Sequence, residues 1–82
     1  MIMRIFTVCD LKTGVYSHPF YEVSNGSAVR AFTDTVRTND HPFNRHPEDY
    51  VLYFIGEYDD TIGRIYSTEP ELIVTASNVI VE

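Results

Sequence analysis

The sequence predicts a small α+β domain in which an antiparallel sheet, in ββαββ order, packs against one helix. Three observations lead to this fold class. The 82 residues are 44% hydrophobic and 22% charged, which suits one globular core and leaves no room for a second. Two pairs of apolar, β-prone runs are each joined by a short polar turn. One segment between the pairs repeats its apolar residues at helical spacing.

The first pair of strands is expected at residues 1–8 and 15–23. The connection DLKTG contains Asp10 and Gly14, residue types that favour turns. Because Pro19 cannot donate a ladder hydrogen bond, the second strand should lie at a sheet edge or carry a bulge.

The helix is expected in SNGSAVRAFTDTVRT, residues 24–38. Ser24 or Asn25 can act as its N-cap, since both side chains can accept a hydrogen bond from the first turn. The apolar residues at helical spacing form one face: Ala28, Val29, Phe32 and Val36.

The second pair of strands follows a loop with two His-Pro pairs. Pro47 begins a tight entry into DYVLYFIGEY, residues 49–58, and the chain is expected to turn and return as far as residue 66. The residues that shape this turn are Asp59, Asp60 and Gly63. STEP, residues 67–70, is expected to break the strand. The prediction is therefore a domain at 1–66 and a β-prone tail at 67–82, packed on its own chain or on a partner subunit.

Both faces of the predicted sheet are apolar. Side chains alternate across a strand, so Leu52 and Phe54 point one way while Val51, Tyr53 and Ile55 point the other. One helix covers only one face of a sheet. The other face needs the tail or a second subunit, and the sequence predicts a homo-oligomer, most simply a dimer.

The charge balance and the cysteine count limit the setting. Twelve acidic against six basic residues give a net charge of −6, which disfavours general phosphate binding and favours a protein partner. With one cysteine no intramolecular disulfide can form, which suits a reducing cytosol. The start MIMRIFTVCD does not have the pattern of a signal peptide, and no apolar run reaches the roughly 20 residues that cross a bilayer.

Acidic and histidine side chains flank the strongest strand and are candidates for metal binding. Their spacing matches neither HExxH nor an EF-hand loop, so structural roles in turns are expected for His41, His46, Glu48, Asp49, Asp59 and Asp60. Cys9 lies in an apolar strand, and the sequence contains no nucleophile elbow or glycine-rich phosphate loop. We therefore expect no enzyme activity, no metal and no cofactor.

A nucleic-acid surface is a further candidate. Arg30 and Arg37 are seven residues apart on one helical face, and Arg45 follows in the next loop. Tyrosines could stack bases, and Tyr50 and Tyr53 are the tentative choices among the six in the chain. An ion-pair ladder through Asp34 explains both helical arginines and is the favoured interpretation, with DNA binding kept as the alternative.

Three motifs together resemble the small nonstructural protein of gokushoviruses, single-stranded-DNA bacteriophages of the microvirus family. They are VCDLKTGVYSHPF, AVRAFTDTV and HPEDYVLYFIGEYDDTIGRI, in this order between roughly residues 4 and 66. The resemblance implies a nonvirion protein in the cytoplasm of an infected bacterium, with a role in genome replication or single-stranded-DNA synthesis. Its partner stays open between single-stranded DNA, a viral replication protein and a host protein.

Overall fold

The computed structural model describes residues 1–80 and confirms the α+β class. A curled antiparallel sheet of five strands packs against one main helix. The strands are β1 (Ile2–Asp10), β2 (Val15–Tyr16), β3 (Phe20–Glu22), β4 (Tyr50–Asp59) and β5 (Arg64–Thr75). The helices are α1 (Asn25–Val36) and the short α2 (Pro42–Arg45), with single 3-10 turns at Pro47–Asp49 and Ala76–Asn78.

Strand β1 lies at the centre of the sheet. The strand order is β2-β1-β4-β5, and β3 pairs with β1 on the same side as β2. All four pairings are antiparallel. The two edges of the sheet are therefore the split pair β2 and β3 on one side and the long strand β5 on the other.

The predicted second strand is divided into β2 and β3, so three strands precede the helix and the ββαββ order is not confirmed. The division falls at Ser17–Pro19, where proline removes a ladder donor. Ser17 connects this segment to β1 through both its backbone and its side chain, and its backbone N donates to the Val8 carbonyl at 2.8 Å. Its hydroxyl accepts from Val8 N at 3.1 Å, and its carbonyl accepts from the Thr7 hydroxyl at 2.8 Å.

The predicted strand break at residues 67–70 is wrong. Strand β5 continues through this segment to Thr75 and crosses the expected boundary after residue 66. Phe54 lies opposite Glu71 and Gly56 opposite Ser67, so Ile55 alone faces residues 68–70. Residues 68–70 form a bulge in β5 that includes Pro70. The strand continues past it, because bulged residues need not pair.

The expected second piece of the tail, Val79 to Val81, is not a strand where it is described. Ala76–Asn78 forms a 3-10 turn, Val79 and Ile80 pack against the core, and Val81 lies outside the described residues. Residues 73–80 thus pack against their own chain.

The core lies between α1 and the side of the sheet that faces it. The helix contributes Ala28, Phe32 and Val36, as its spacing predicts, while Val29 is partly buried beside them. Its sheet partners are Phe6, Val8, Leu52 and Phe54. Ala76 closes the core from the 3-10 turn. No helix within residues 1–80 has the length and apolar character needed to cross a membrane.

Helix α1 begins with a reciprocal capping box. The Ser24 hydroxyl accepts from Ser27 N at 3.1 Å, and the Ser27 hydroxyl accepts from Ser24 N at 3.3 Å. The replacement Ser24→Ala leaves first-turn donors without this partner, and we expect it to lower the free energy of unfolding by about 1 kcal/mol. Urea unfolding followed by circular dichroism measures the change. Ser77→Ala, at an exposed position, is the control and should stay within about 0.5 kcal/mol of wild type.

Candidate interaction surface

The two faces of the sheet differ in what covers them. On β1 the even-numbered Phe6 and Val8 point toward α1 and enter the core. The odd-numbered residues point away from the helix. Among residues 1–80, no helix packs on this second face.

Tyrosines follow the second face of the sheet from end to end. Each odd-numbered residue of β1 has a tyrosine directly opposite it on a neighbouring strand: Met3 with Tyr58, Ile5 with Tyr21, Thr7 with Tyr53, and Cys9 with Tyr16. The rings meet in two pairs above β1. The centroids of Tyr16 and Tyr53 are 5.9 Å apart, and those of Tyr21 and Tyr58 are 6.0 Å apart.

Two apolar side chains of β5 extend the same surface. Ile65 pairs with Tyr58 and is 59% exposed, and Leu72 pairs with Tyr53 and is 57% exposed. We call the surface formed by Tyr16, Tyr21, Tyr53, Tyr58, Ile65 and Leu72 the tyrosine face. The sequence did not predict that these six residues form one surface. Of the six, Tyr53 alone is among the predicted nucleic-acid residues.

The residues beneath the rings are buried although no helix covers them. Ile5, Thr7, Cys9 and Val51 are each at most 5% exposed. Partial desolvation, together with the neighbouring Cys9, raises the pKa of Tyr16 above its usual value of 10.0. A phenol with a raised pKa is neutral at pH 7, so this part of the tyrosine face carries no charge.

Charged strand residues lie on the opposite side of the sheet. By strand register, every carboxylate and guanidinium among the paired positions points to the helix side: Arg4, Asp10, Glu22, Glu57, Asp59, Arg64 and Glu71. Arg4 shows this orientation directly, because it lies 4.0 Å above the Phe54 ring and 3.6 Å from the Glu57 carboxylate. The tyrosine face is therefore an uncharged surface on an acidic protein.

The structure divides the predicted nucleic-acid residues between the two sides of the sheet. Arg30 is exposed on α1, Arg37 donates to the Val79 carbonyl at 2.8 Å, and Arg45 donates to the Asp40 carbonyl at 2.6 Å. Tyr50 is on the same side of the sheet as these arginines, where its ring packs 4.5 Å from that of Phe43. Tyr53 is on the other side, in the tyrosine face.

The expected ion-pair ladder through Asp34 is also not formed. Between described residues, ion pairs within 4 Å join the terminal amine to Asp60 and Arg4 to Glu57. Asp34 takes part in neither.

The acidic and histidine residues are divided between opposite ends of β4. His46, Glu48 and Asp49 place one ligand atom each within 4.8 Å of one another, which is close enough to hold a cation. His46 and Glu48 are exposed, and such groups are common at surfaces without a metal. The absence of a metal site stays a prediction.

The remaining members of the set have structural contacts. His41 caps α2, because its Nδ1 accepts from Phe43 N at 3.1 Å. At the other end of β4 the Asp59 carboxylate accepts from Thr61 N at 3.0 Å, and Asp60 accepts from the terminal amine at 2.7 Å.

The turn residues have the geometry that tight turns require. Gly14 has φ +74° and donates to the Asp10 carbonyl at 2.7 Å. Gly63 has φ +67° and donates to the Asp59 carbonyl at 2.8 Å. Positive φ favours glycine at both positions. Pro47 begins the 3-10 turn that leads into β4.

A cavity of about 390 Å³ opens on the helix side beside the broken edge strand. Its lining is apolar and aromatic with a few polar groups: Val8, Ser17, Phe20, Ala31, Phe32, Thr35, His41 and Phe43. The hydroxyls of Ser17 and Thr35 already bond to backbone groups. The cavity has no side chain whose chemistry identifies a ligand.

Within residues 1–80, the fold and surface define a small α+β protein with one helix-covered and one open sheet face. The chain belongs to the Phage ORF5 protein family, whose model matches residues 3–79. Neither the curated proteins nor the solved structures contain a significant match.

Proposed function

We propose that this phage protein supports viral genome replication or single-stranded-DNA synthesis without catalysing a reaction, by binding another protein rather than DNA. The family match makes it a phage protein. The three motifs that resemble the gokushovirus nonstructural protein support the replication role, and with it a site of action in the cytoplasm of an infected bacterium.

One observation carries the choice of a protein partner: the sheet separates the candidate cations from the open rings. Arg30, Arg37 and Arg45 are on the helix side, while the four rings of the tyrosine face are on the other. Binding of single strands combines a positive groove for phosphates with rings for bases. Phosphate contacts supply most non-specific affinity, and a chain of net charge −6 with divided groups is poorly suited to them.

The tyrosine face has the composition of a protein interface. The centres of such interfaces are depleted in charged residues and enriched in tyrosine, and the residues with the largest binding energies concentrate there. Tyr16 and Tyr21 are 48% and 44% exposed, so their rings offer contact area without a change of fold.

A second surface suits a basic partner. It is formed by Asp10, Glu48 and Asp49, and we call it the acidic corner. Leu11 N donates to the Asp49 carbonyl at 2.7 Å, which places the Asp10 end of β1 beside Asp49 and Glu48. Burial raises the pKa of Tyr50, Asp10 and Asp49 raise it further, and Arg45 opposes them. The carboxylates of this corner favour a basic viral or host protein as the partner.

The reactive groups of the chain support a role without chemistry. Cys9, the one cysteine in the sequence, is 5% exposed and lies beneath Tyr16, where a thiol behaves as a small hydrophobe.

Single-stranded DNA is the second candidate, favoured by one observation. Four tyrosines on an open antiparallel sheet resemble the aromatic platforms on which sheet-type nucleic-acid-binding domains stack bases. In this version base stacking supplies the affinity, and the arginines of the helix side do not take part.

Fluorescence anisotropy with a labelled single-stranded oligonucleotide separates the two candidates. We expect no binding at about 50 mM salt with protein up to about 100 µM, the upper end of the range for non-specific DNA affinity. Micromolar binding that weakens at about 200 mM salt would contradict the protein-partner proposal. In that case Tyr53→Ala and the pair Arg30→Glu with Arg37→Glu identify whether rings or cations are responsible.

Recovery of the tagged protein from infected cells gives the positive arm of the test. A stoichiometric protein partner that survives nuclease treatment supports the proposal. Loss of every partner after nuclease treatment, together with oligonucleotide binding, would refute it.

A further inference from the structure

We infer that a second copy of this chain covers the tyrosine face, giving a two-fold symmetric dimer in which the two open sheets pack face to face. The inference rests on the proposed function only in treating this face as a protein-binding surface. It assigns the occupant, and it leaves the acidic corner of each copy available to another partner.

The tyrosine face extends across the whole sheet. Its members come from β2, β3, β4 and β5, and their rings lie over β1. Four of the six are 44–59% exposed: Tyr16, Tyr21, Ile65 and Leu72. Exposed apolar patches of this extent mark interaction sites on soluble proteins.

Charge favours a second copy over a different occupant. A basic partner would be drawn to the helix side, where the strand carboxylates lie, and not to an uncharged face. An identical copy with net charge −6 is repelled everywhere except where neither surface is charged. The tyrosine face meets that condition on both copies.

The face is also self-complementary. Along β1 the Tyr21–Tyr58 pair lies over Met3 and Ile5, and the Tyr16–Tyr53 pair lies over Thr7 and Cys9. A two-fold axis can lie in the interface plane and cross β1 near its midpoint. Around this axis, the Tyr21–Tyr58 pair of one copy faces the Tyr16–Tyr53 pair of the second copy, and the reverse. Residue-to-residue reciprocity of this kind is what a closed two-fold interface requires. Open sheets stack about 10 Å apart, a distance that such rings fill.

The sheet edges are poorer sites for self-association than this face. Strands β2 and β3 are short and separated around Pro19. The outer edge of β5 carries Glu69, Pro70 and Glu71 within an irregular segment. Proline, charge and bulges are the features that block edge-to-edge pairing.

Light scattering after size-exclusion chromatography tests the inference with two matched variants. Wild type is expected at twice the chain mass of 9.4 kDa at about 100 µM. Tyr21→Lys places a cation in the dry interface, and we expect dimer affinity to fall at least about 100-fold. Tyr66→Lys is the control, because Tyr66 is 47% exposed but lies on the helix side opposite Glu57. It should leave the dimer intact.

A wild-type monomer at about 100 µM would overturn the inference. So would a dimer that Tyr21→Lys leaves intact, or one that Tyr66→Lys weakens equally. If circular dichroism shows Tyr21→Lys unfolded, Leu72→Lys at a 57% exposed position of the same face decides by the same criterion. The outcomes are independent of the proposed function: a monomer that does not bind DNA refutes only the dimer, and a dimer that binds DNA refutes only the protein-partner proposal.

Discussion

Gly56→Ala is expected to lower the free energy of unfolding by at least about 3 kcal/mol, a large fraction of the total stability of a small domain. A Cβ at Gly56 would lie 2.3 Å from the Tyr66 carbonyl oxygen and 3.1 Å from the Ser67 Cα. Both atoms belong to the backbone of β5 and cannot rotate away. The φ of +157° adds strain for any residue with a side chain.

Strands β4 and β5 can approach closely at Gly56 because glycine has no side chain. Against β1, Ile55 is an extra residue of β4 between Phe54 and Gly56. Against β5, the extra residues belong to β5, where residues 68–70 face Ile55. Regular pairing resumes at Gly56. An added methyl group would therefore push β5 away at the point where the long hairpin rejoins the ladder.

Two other glycines provide controls for Gly56→Ala. Gly63→Ala meets nothing within 4 Å but has φ +67°, so we expect a loss of about 1 kcal/mol from backbone strain alone. Gly26→Ala, in the first turn of α1, should be neutral or stabilising by up to about 1 kcal/mol. Urea unfolding of the three variants ranks them. Equal losses at Gly56 and Gly63 would show that β5 yields to the added methyl group.

The local elements could be predicted from the sequence because their signals are local. Helix α1 has its cap at Ser24 and its apolar face at the expected spacing, and β1 and β4 lie in the most apolar runs. The continuity of β5 could not be predicted in the same way. Pro70 reads as a break, but pairing with β4 on both sides of the bulge maintains the strand.

The tyrosine face depends on register, which sequence patterns specify weakly when both faces of a strand are apolar. A slip of one residue would send Tyr53 to the helix side and Leu52 to the open side. Register also decides that Tyr16 and Tyr21, on two separate short strands, face the same way as Tyr53 and Tyr58. The separation of the helical arginines from these rings could not be predicted either, because spacing along a helix says nothing about which side of the sheet the helix covers.

Phe6→Ala is expected to cost about 3–5 kcal/mol, because it removes the central side chain of the core. Phe6 is fully buried and its ring contacts two others, with centroids 5.8 Å from Phe20 and 5.7 Å from Phe54. The helix and the sheet meet around it, and a cavity at this place cannot collapse without moving β1. A domain of this size has only about 5–15 kcal/mol in total, so the variant should lose a large fraction of its stability.

Two controls separate the loss of the ring from the loss of any apolar group. Phe6→Leu keeps most of the buried volume and should cost about 1–2 kcal/mol. Leu11→Ala, at a 52% exposed turn position, should change stability by less than about 0.5 kcal/mol. The unfolding midpoints are compared at one fixed protein concentration, because self-association would make them concentration-dependent. Equal losses for Phe6→Ala and Leu11→Ala would show that the helix side of the sheet does not hold the core, since α1 would then be packed elsewhere.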